Sequence, residues 1–140
     1  SSAGDVIDSE PVIIPEHAPL SDVLEIFSEH DNLYYPVVSS DNTIKGVITI
    51  NNIKNTFMAS ELSDFLIAVD LMEPVEMSIK EDMNLLEIKE LMMKKRLEFV
   101  PVLSKDNRLM GLLESRGIER HITRKLFEME HKVQSLENKE

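Results

Sequence analysis

The chain has 140 residues, 26 of them acidic and 15 basic, for a formal net charge of −11 at pH 7. That balance argues against non-specific nucleic-acid binding and against adsorption to an anionic membrane, both of which need a basic footprint. With no Cys there is no disulfide, no thiol catalysis and no Cys-ligated zinc, and with 42% apolar but only 5% aromatic residues the core must be aliphatic and methionine-rich.

No apolar run approaches the roughly 20 residues that cross a bilayer, and no secretory signal is visible. Together with the missing Cys, this points to the cytosol. Val12-Ile13-Ile14 reads as a short strand closed by Pro15. Residues 20–30 carry apolar side chains at 20, 23, 24, 26 and 27, the stripe of an amphipathic helix, with Ser21 and Asp22 suited to its first turn. Tyr34-Tyr35-Pro36-Val37-Val38 is a buried-strand run, residues 39–43 are a turn cluster, and residues 44–49 resume the strand. Gly46 inside that strand marks a bulge or the close approach of another backbone. Thr49 stands where strand gives way to helix, and helix N-termini gather anions. Residues 61–68 read as a short amphipathic linker helix.

The pattern then recurs at a constant offset of 65. Pro36 maps to Pro101, Asp41 to Asp106, Gly46 to Gly111 and Ile53 to Ile118; upstream, Asp5 maps to Asp70, Ile14 to Ile79 and Leu20 to Leu85. An ungapped register this long indicates two copies of one structural unit. Val75-Glu76-Met77 is the expected counterpart of the first strand, and Leu85, Leu86, Ile88, Leu91, Met92 and Met93 form the counterpart helical stripe. Beyond Gly117 there is no further Gly or Pro, and Ile122, Leu126, Met129, Val133 and Leu136 are spaced 4, 3, 4 and 3. That is heptad spacing, suited to a neighbour in the same chain or in a dimer mate. Residues 137–140 are expected to fray.

The expected organisation is therefore unit 1 over residues 5–58, a linker helix over 59–67, unit 2 over 68–122 and a C-terminal helix over 123–140. The fold class is α/β, more narrowly α+β, each unit running strand-helix-strand-strand-helix. The hairpin makes antiparallel neighbours and the crossover a parallel pair. One such unit cannot cover both faces of its sheet, so the two pack as a pseudo-two-fold pair.

The duplicated motif is Tyr35-Pro36-Val37-Val38 with Gly46-Val47-Ile48-Thr49-Ile50-Asn51-Asn52-Ile53, and Val100-Pro101-Val102-Leu103 with Gly111-Leu112-Leu113-Glu114-Ser115-Arg116-Gly117-Ile118. It resembles the cystathionine-β-synthase (CBS) domain, and two in tandem resemble a Bateman module. The resemblance implies a regulatory, non-catalytic module that dimerises and binds adenine nucleotides (ATP, ADP or AMP) between its units, with no cofactor required. In that family the Thr or Ser at the strand end meets phosphate or ribose, and an Asp three residues on holds the ribose hydroxyls. Thr49 matches; Asn52 replaces the Asp and keeps a neutral hydrogen bond. Glu114 and Gly117 replace both residues in the second copy, where a carboxylate repels phosphate and Gly offers no contact.

Because the family builds each cleft from both copies, the resemblance implies one site of Thr49, Asn52, Val75, Glu76, Met77, Phe99 and Val100. A degenerate second site would comprise Val12, Ile13, Tyr34, Tyr35, Glu114 and Gly117. The competing structural reading has Asn52 capping a helix, Thr49 ending a strand and the tyrosines in the core. The segment Leu66-Ile67-Ala68-Val69-Asp70-Leu71-Met72-Glu73-Pro74-Val75 also resembles the inter-CBS stretch of prokaryotic CLC-type chloride channels and transporters, which implies an attached membrane transport domain with this module on its cytosolic face. CBS pairs also accompany magnesium transporters and inosine-monophosphate dehydrogenases or stand alone, and a ligand-free dimerisation module is a further alternative.

An enzyme is disfavoured. His17, His30, His121 and His131 are scattered without a paired nucleophile, Ser21, Ser39 and Ser104 lie in caps or turns, and there is no P-loop, calcium-loop spacing or two-His helical zinc pair.

Overall fold

The computed structural model describes residues 1–59 and 65–138, the side chains of 57–59 excepted. A single 3-10 turn, Ala3–Asp5, precedes the first unit: β1 (Ile14–Pro15), α1 (Leu20–Glu29), β2 (Tyr34–Val38), β3 (Ile44–Thr49) and α2 (Ile50–Ala59). The second unit follows as α3 (Ala68–Leu71), β4 (Ile79–Lys80), α4 (Leu85–Lys95), β5 (Phe99–Leu103), β6 (Leu109–Glu114) and α5 (Ser115–Glu137).

Each unit holds a three-stranded sheet, ordered β1-β2-β3 and β4-β5-β6. The first pair in each is parallel and the second antiparallel, with registers that repeat the offset of 65: Ile14 opposite Val37 and Ile79 opposite Val102, Tyr34 opposite Thr49 and Phe99 opposite Glu114. The hairpin tips place Asn42 and Asn107 at φ 68° and 62°, a left-handed conformation that Asn tolerates because its short side chain bonds locally. The register shift beside each tip, at Val37/Val38 and at Val102/Leu103, is the bulge that accommodates the turn. Asn84 caps α4 by accepting from the N–H groups of Leu86 and Glu87.

The first core contains Ile14, Val23, Tyr35, Val37, Ile48 and Ile53, and the second Ile79, Ile88, Met92, Val100, Val102, Leu113 and Ile118. A third, smaller cluster of Val38, Leu103 and Leu109, flanked by Ile13 and Ile44, joins the two sheets. There the hairpin tips meet about the pseudo-two-fold: Thr43 bridges its own offset mate Arg108, the Leu109 N–H donates to the Asn42 carbonyl at 2.9 Å, and the Ile44 N–H donates to the Asn107 carbonyl at 3.3 Å.

The units are also exchanged at their beginnings. Ala3 is fully buried in the second core, with Val6 and Ile7 packed beside it, whereas Ala68 and Leu71 belong to the first core with Leu66 and Met72. The backbone of Glu73 pairs with Val47 in both directions, at 2.8 and 2.9 Å, and Asp8 pairs with Leu112 in the same way at 2.9 and 3.0 Å. Gly46 and Gly111 make this possible. A Cβ on Gly46 would lie 2.7 Å from the Glu73 carbonyl and from the Met72 sulfur, and one on Gly111 would lie closer still to the Asp8 carbonyl.

Two expectations need correction. The first strand of each unit is Ile14–Pro15 and Ile79–Lys80; β1 starts on the last residue of the apolar run at 12–14, and β4 lies downstream of the run at 75–77. Pro15 is the last residue of its strand, tolerated there because β1 is an edge strand where a missing N–H costs little. The C-terminal helix is not separate: α5 runs unbroken from the second unit to Glu137. Of the expected linker helix over 61–68, residues 61–64 lie outside the described residues, as do 139–140 of the expected fraying end. The short helix observed, Ala68–Leu71, is the offset mate of Ala3–Asp5.

Candidate functional site

A cleft of about 290 Å³ opens between the units where β3 ends. Val47 and Thr49 of β3, with Leu33 and Tyr34, form the wall from the first unit. Glu73, Pro74, Glu76 and Met77 from the lead-in to β4, and Arg96, Leu97, Glu98 and Phe99 from the turn between α4 and β5, form the wall from the second. The Tyr34 and Phe99 rings, offset mates, stack with centroids 5.7 Å apart and 10° between planes. This aromatic pair supplies an apolar surface of the kind a planar base stacks on.

Thr49 and Asn52 are already engaged. The Thr49 N–H and hydroxyl both donate to Asn52 Oδ1, at 2.6 and 3.0 Å, and Asn52 Nδ2 donates to Glu73 Oε2 at 3.1 Å. Asn52 therefore caps the start of α2 and ties it to a carboxylate of the opposite unit. Burial pushes the Tyr34 hydroxyl far above the ordinary tyrosine range, and the negative charges of Glu73 and Glu76 push the same way. The phenol stays protonated and can only act as a neutral donor or acceptor.

The expected site residues divide clearly. Thr49, Glu76, Met77 and Phe99 line this cleft. Asn52 joins it through Glu73. Val75 is half-buried outside the lining, and Val100 is fully enclosed in the second core. Of the second set, Glu114 lines a neighbouring recess of about 270 Å³ with Leu33, Glu98, Phe99, Ser115 and Arg116, while Tyr34 belongs to the first cleft. Tyr35 is fully buried against Phe27, with centroids 4.4 Å apart, and its hydroxyl accepts from the Asn32 N–H at 3.2 Å. Val12 packs on the first core, Ile13 on the central cluster, and a Cβ added to Gly117 would lie 3.5 Å from a Val6 methyl carbon.

Sequence reasoning missed Leu33, Val47, Glu73, Pro74, Arg96, Leu97 and Glu98. All but Val47 of β3 sit on irregular segments with no periodicity to reveal their facing. The signal that could have found Glu73 was Gly46, whose missing side chain required a backbone nearby.

Elsewhere the titratable groups do not converge. His17 lies 3.5 Å from Glu16, His131 packs edge-on against Phe127 and His121 meets the Ser1 hydroxyl at 3.2 Å. Among the described residues no group of three His, Cys, Asp or Glu could hold a metal ion. No described helix is long and apolar enough to cross a membrane. An open groove of about 700 Å³ runs along α5 past Arg116, Arg120, Arg124 and Phe127, but its walls come from one helix and enclose nothing.

The family model described as "CBS domain" matches residues 3–58 and 67–124. Inosine-5'-monophosphate dehydrogenase of Helicobacter pylori is 25% identical over 115 residues, which is 81% of this chain and 23% of that protein. The chain thus spans about a quarter of the length of these dehydrogenases. Hypoxic response protein 1 of Mycobacterium tuberculosis is 27% identical over 133 residues, 87% of this chain and 85% of that one.

Among solved structures, CBSX2 in complex with AMP superposes with a TM-score of 0.76 at 20% identity, covering 88% of this chain and 96% of the other. The CBS domain of a bacterial CNNM/CorC family Mg2+ transporter in complex with ATP gives 0.76 at 17%, covering 88% and 87%. The CBS pair of protein MJ0100 in complex with 5'-methylthioadenosine and S-adenosyl-L-methionine gives 0.72 at 19%, covering 89% and 98%. At these identities the structural likeness speaks for the fold.

Proposed function

The chain belongs to the CBS-domain family as a tandem pair, and from that premise we propose that it is a non-catalytic regulatory module whose two units respond to an adenosine-containing ligand in the Thr49 cleft. The observation that carries this reading is the make-up of the cleft, one wall from each unit: Val47, Thr49 and Tyr34 face Met77, Arg96 and Phe99. A ligand held there contacts both units at once, so its binding energy depends on how they sit together, which is the requirement for a ligand to shift a conformational equilibrium. Isothermal titration and thermal unfolding with AMP, ADP, ATP and 5'-methylthioadenosine test it. Heat of binding and a raised melting temperature are expected; neither at millimolar ligand would sink the reading.

The regulated activity lies in an attached domain or partner. The segment from Leu66 to Val75 favours the cytosolic face of a membrane transport protein, a chloride channel or transporter in the first instance. The curated relatives favour a metabolic enzyme or a free-standing pair. The full reading frame decides: transmembrane spans ahead of residue 1 support the transport host, and their absence refutes it.

A second reading, a ligand-free dimerisation module, is favoured by two observations. Thr49 and Asn52 already satisfy each other, and α5 carries Leu126, Met129, Val133 and Leu136 at 54–64% exposure along one heptad stripe. Under that reading association and stability are unchanged by nucleotide.

A further inference from the structure

We propose that the Thr49 cleft selects adenosyl ligands that are neutral or cationic at the 5' position and discriminates against 5'-phosphates. This rests on the adenosine-binding reading above and narrows it.

Four charged residues line the cleft, and three of them are acidic: Glu73, Glu76 and Glu98 against Arg96 alone. The position of Glu73 matters most. Its backbone is held on both sides by Val47, and its carboxylate accepts from Asn52 Nδ2 at 3.1 Å. That places a fixed negative charge beside the start of α2, the place where a helix N-terminus would otherwise favour an incoming phosphate. Asn52 is largely committed, because Oδ1 takes both Thr49 hydrogens and one of the two Nδ2 hydrogens is given to Glu73. The chain's own carboxylate thus stands next to the place an incoming phosphate would take.

The remaining lining suits the uncharged part of the same ligand. Leu97, Pro74, Met77 and the Tyr34–Phe99 stack form an apolar wall for a purine. The Tyr34 phenol, kept protonated by burial and by Glu73 and Glu76, is neutral. Bridging a polyphosphate to the carboxylates through a divalent cation finds no ready site, since no described group of three acidic or His residues is placed to hold one. In the neighbouring recess Glu98 and Glu114 outnumber Arg116, so its charge balance is negative too.

Titrating the whole chain with 5'-methylthioadenosine, S-adenosylmethionine, AMP and ATP, each with and without Mg2+, tests the inference. The sulfonium and the neutral thioether are expected to bind about tenfold or more tighter than AMP, with ATP weakest, since each facing pair of like charges at such a surface is worth roughly a factor of ten. The gap should shrink as salt is raised. Glu73→Gln should tighten AMP and weaken S-adenosylmethionine, a crossing that a general loss of folding could not produce. AMP or ATP binding as tightly as the thioether, or a Glu73→Gln variant that leaves the ranking unmoved, overturns the selectivity and leaves the adenosine site standing. If none of the four binds, both readings fall.

Discussion

Replacing Gly111 with Ala tests the exchange of the lead-in segments directly. The added methyl would meet the Asp8 carbonyl and the Ile7 side chain at less than van der Waals contact. Neither can retreat cheaply, because Asp8 is bonded to Leu112 in both directions, at 2.9 and 3.0 Å, and Ile7 is packed on the second core beside fully buried Ala3. Giving up those two hydrogen bonds costs about 2 kcal/mol, and prising Ile7 from its place adds about 1–2 kcal/mol. Ala in place of Gly returns roughly 0.5–1 kcal/mol through the unfolded chain. The net loss is therefore about 2–3.5 kcal/mol, or a fall of roughly 6–12 °C in melting temperature for a domain of this size. Urea unfolding followed by circular dichroism measures it. Gly117→Ala is the internal control: its nearest neighbour outside the helix is a Val6 methyl carbon at 3.5 Å and it lies inside α5, so the same substitution should be neutral or stabilise by up to about 1 kcal/mol. A Gly111→Ala chain as stable as Gly117→Ala would refute the close approach and with it the exchanged arrangement.

Three further outcomes are expected. Asp41 accepts from the Ser39 hydroxyl and the Thr43 N–H, which hold its carboxyl at about 2, below its ordinary 3.8. A depressed carboxyl contributes stability above its unfolded value and loses it as pH falls towards the folded one. The difference in urea midpoint between the native chain and Asp41→Asn should thus be constant above pH 5 and vanish between about pH 4 and 2; an Asp41 carboxyl titrating near 4 by NMR contradicts this. Ile118→Ala, at 0% exposure in the first turns of α5, should cost about 2–5 kcal/mol, whereas Leu126→Ala, 62% exposed on the same helix, should change stability by no more than about 0.5 kcal/mol. If the α5 stripe joins two copies, Leu126→Glu with Val133→Glu should halve the mass seen by light scattering without lowering the melting temperature of the monomer, and an unchanged mass removes that role from the helix.

The repeat was the most legible feature, since an ungapped offset of 65 survives any error in assigning single elements. It carried the hairpin, the parallel pair and the junction at Thr49 into the structure intact. Gly46 was legible too, because a glycine inside a β-branched strand calls for a nearby backbone. What it could not reveal was whose backbone, and residues 3–8 and 66–73 are too short to display a period that would show which core they enter. The same limit misplaced β1 and β4. A two-residue strand has no alternation, so the stronger apolar runs at 12–14 and 75–77 drew the assignment, although Ile14 mapping to Ile79 already marked the true pair. At the cleft, Asn52 read either as a weakened ribose ligand or as a helix cap. Its side chain closes on Thr49 and Glu73, and only coordinates bring residue 73 next to residue 52.

That closure has a thermodynamic consequence. Val47 and Glu73 hold the two units together through their backbones, and Asn52 and Glu73 hold them through side chains, at the mouth of the same cleft. A ligand that contacts Thr49 from one unit and residues 76–77 from the other must either strengthen this seam or compete with it. If it strengthens the seam, its occupancy adds to stability as mass action requires, about 2.7 kcal/mol at a hundredfold excess over Kd. If instead it takes Asn52 from Glu73, part of its binding energy goes into opening the seam, and the gain in melting temperature falls short of what its affinity predicts. Comparing the measured Kd with the measured thermal shift separates the two. A shortfall that disappears in Glu73→Gln would identify the Asn52–Glu73 hydrogen bond as the contact that a regulatory ligand exchanges.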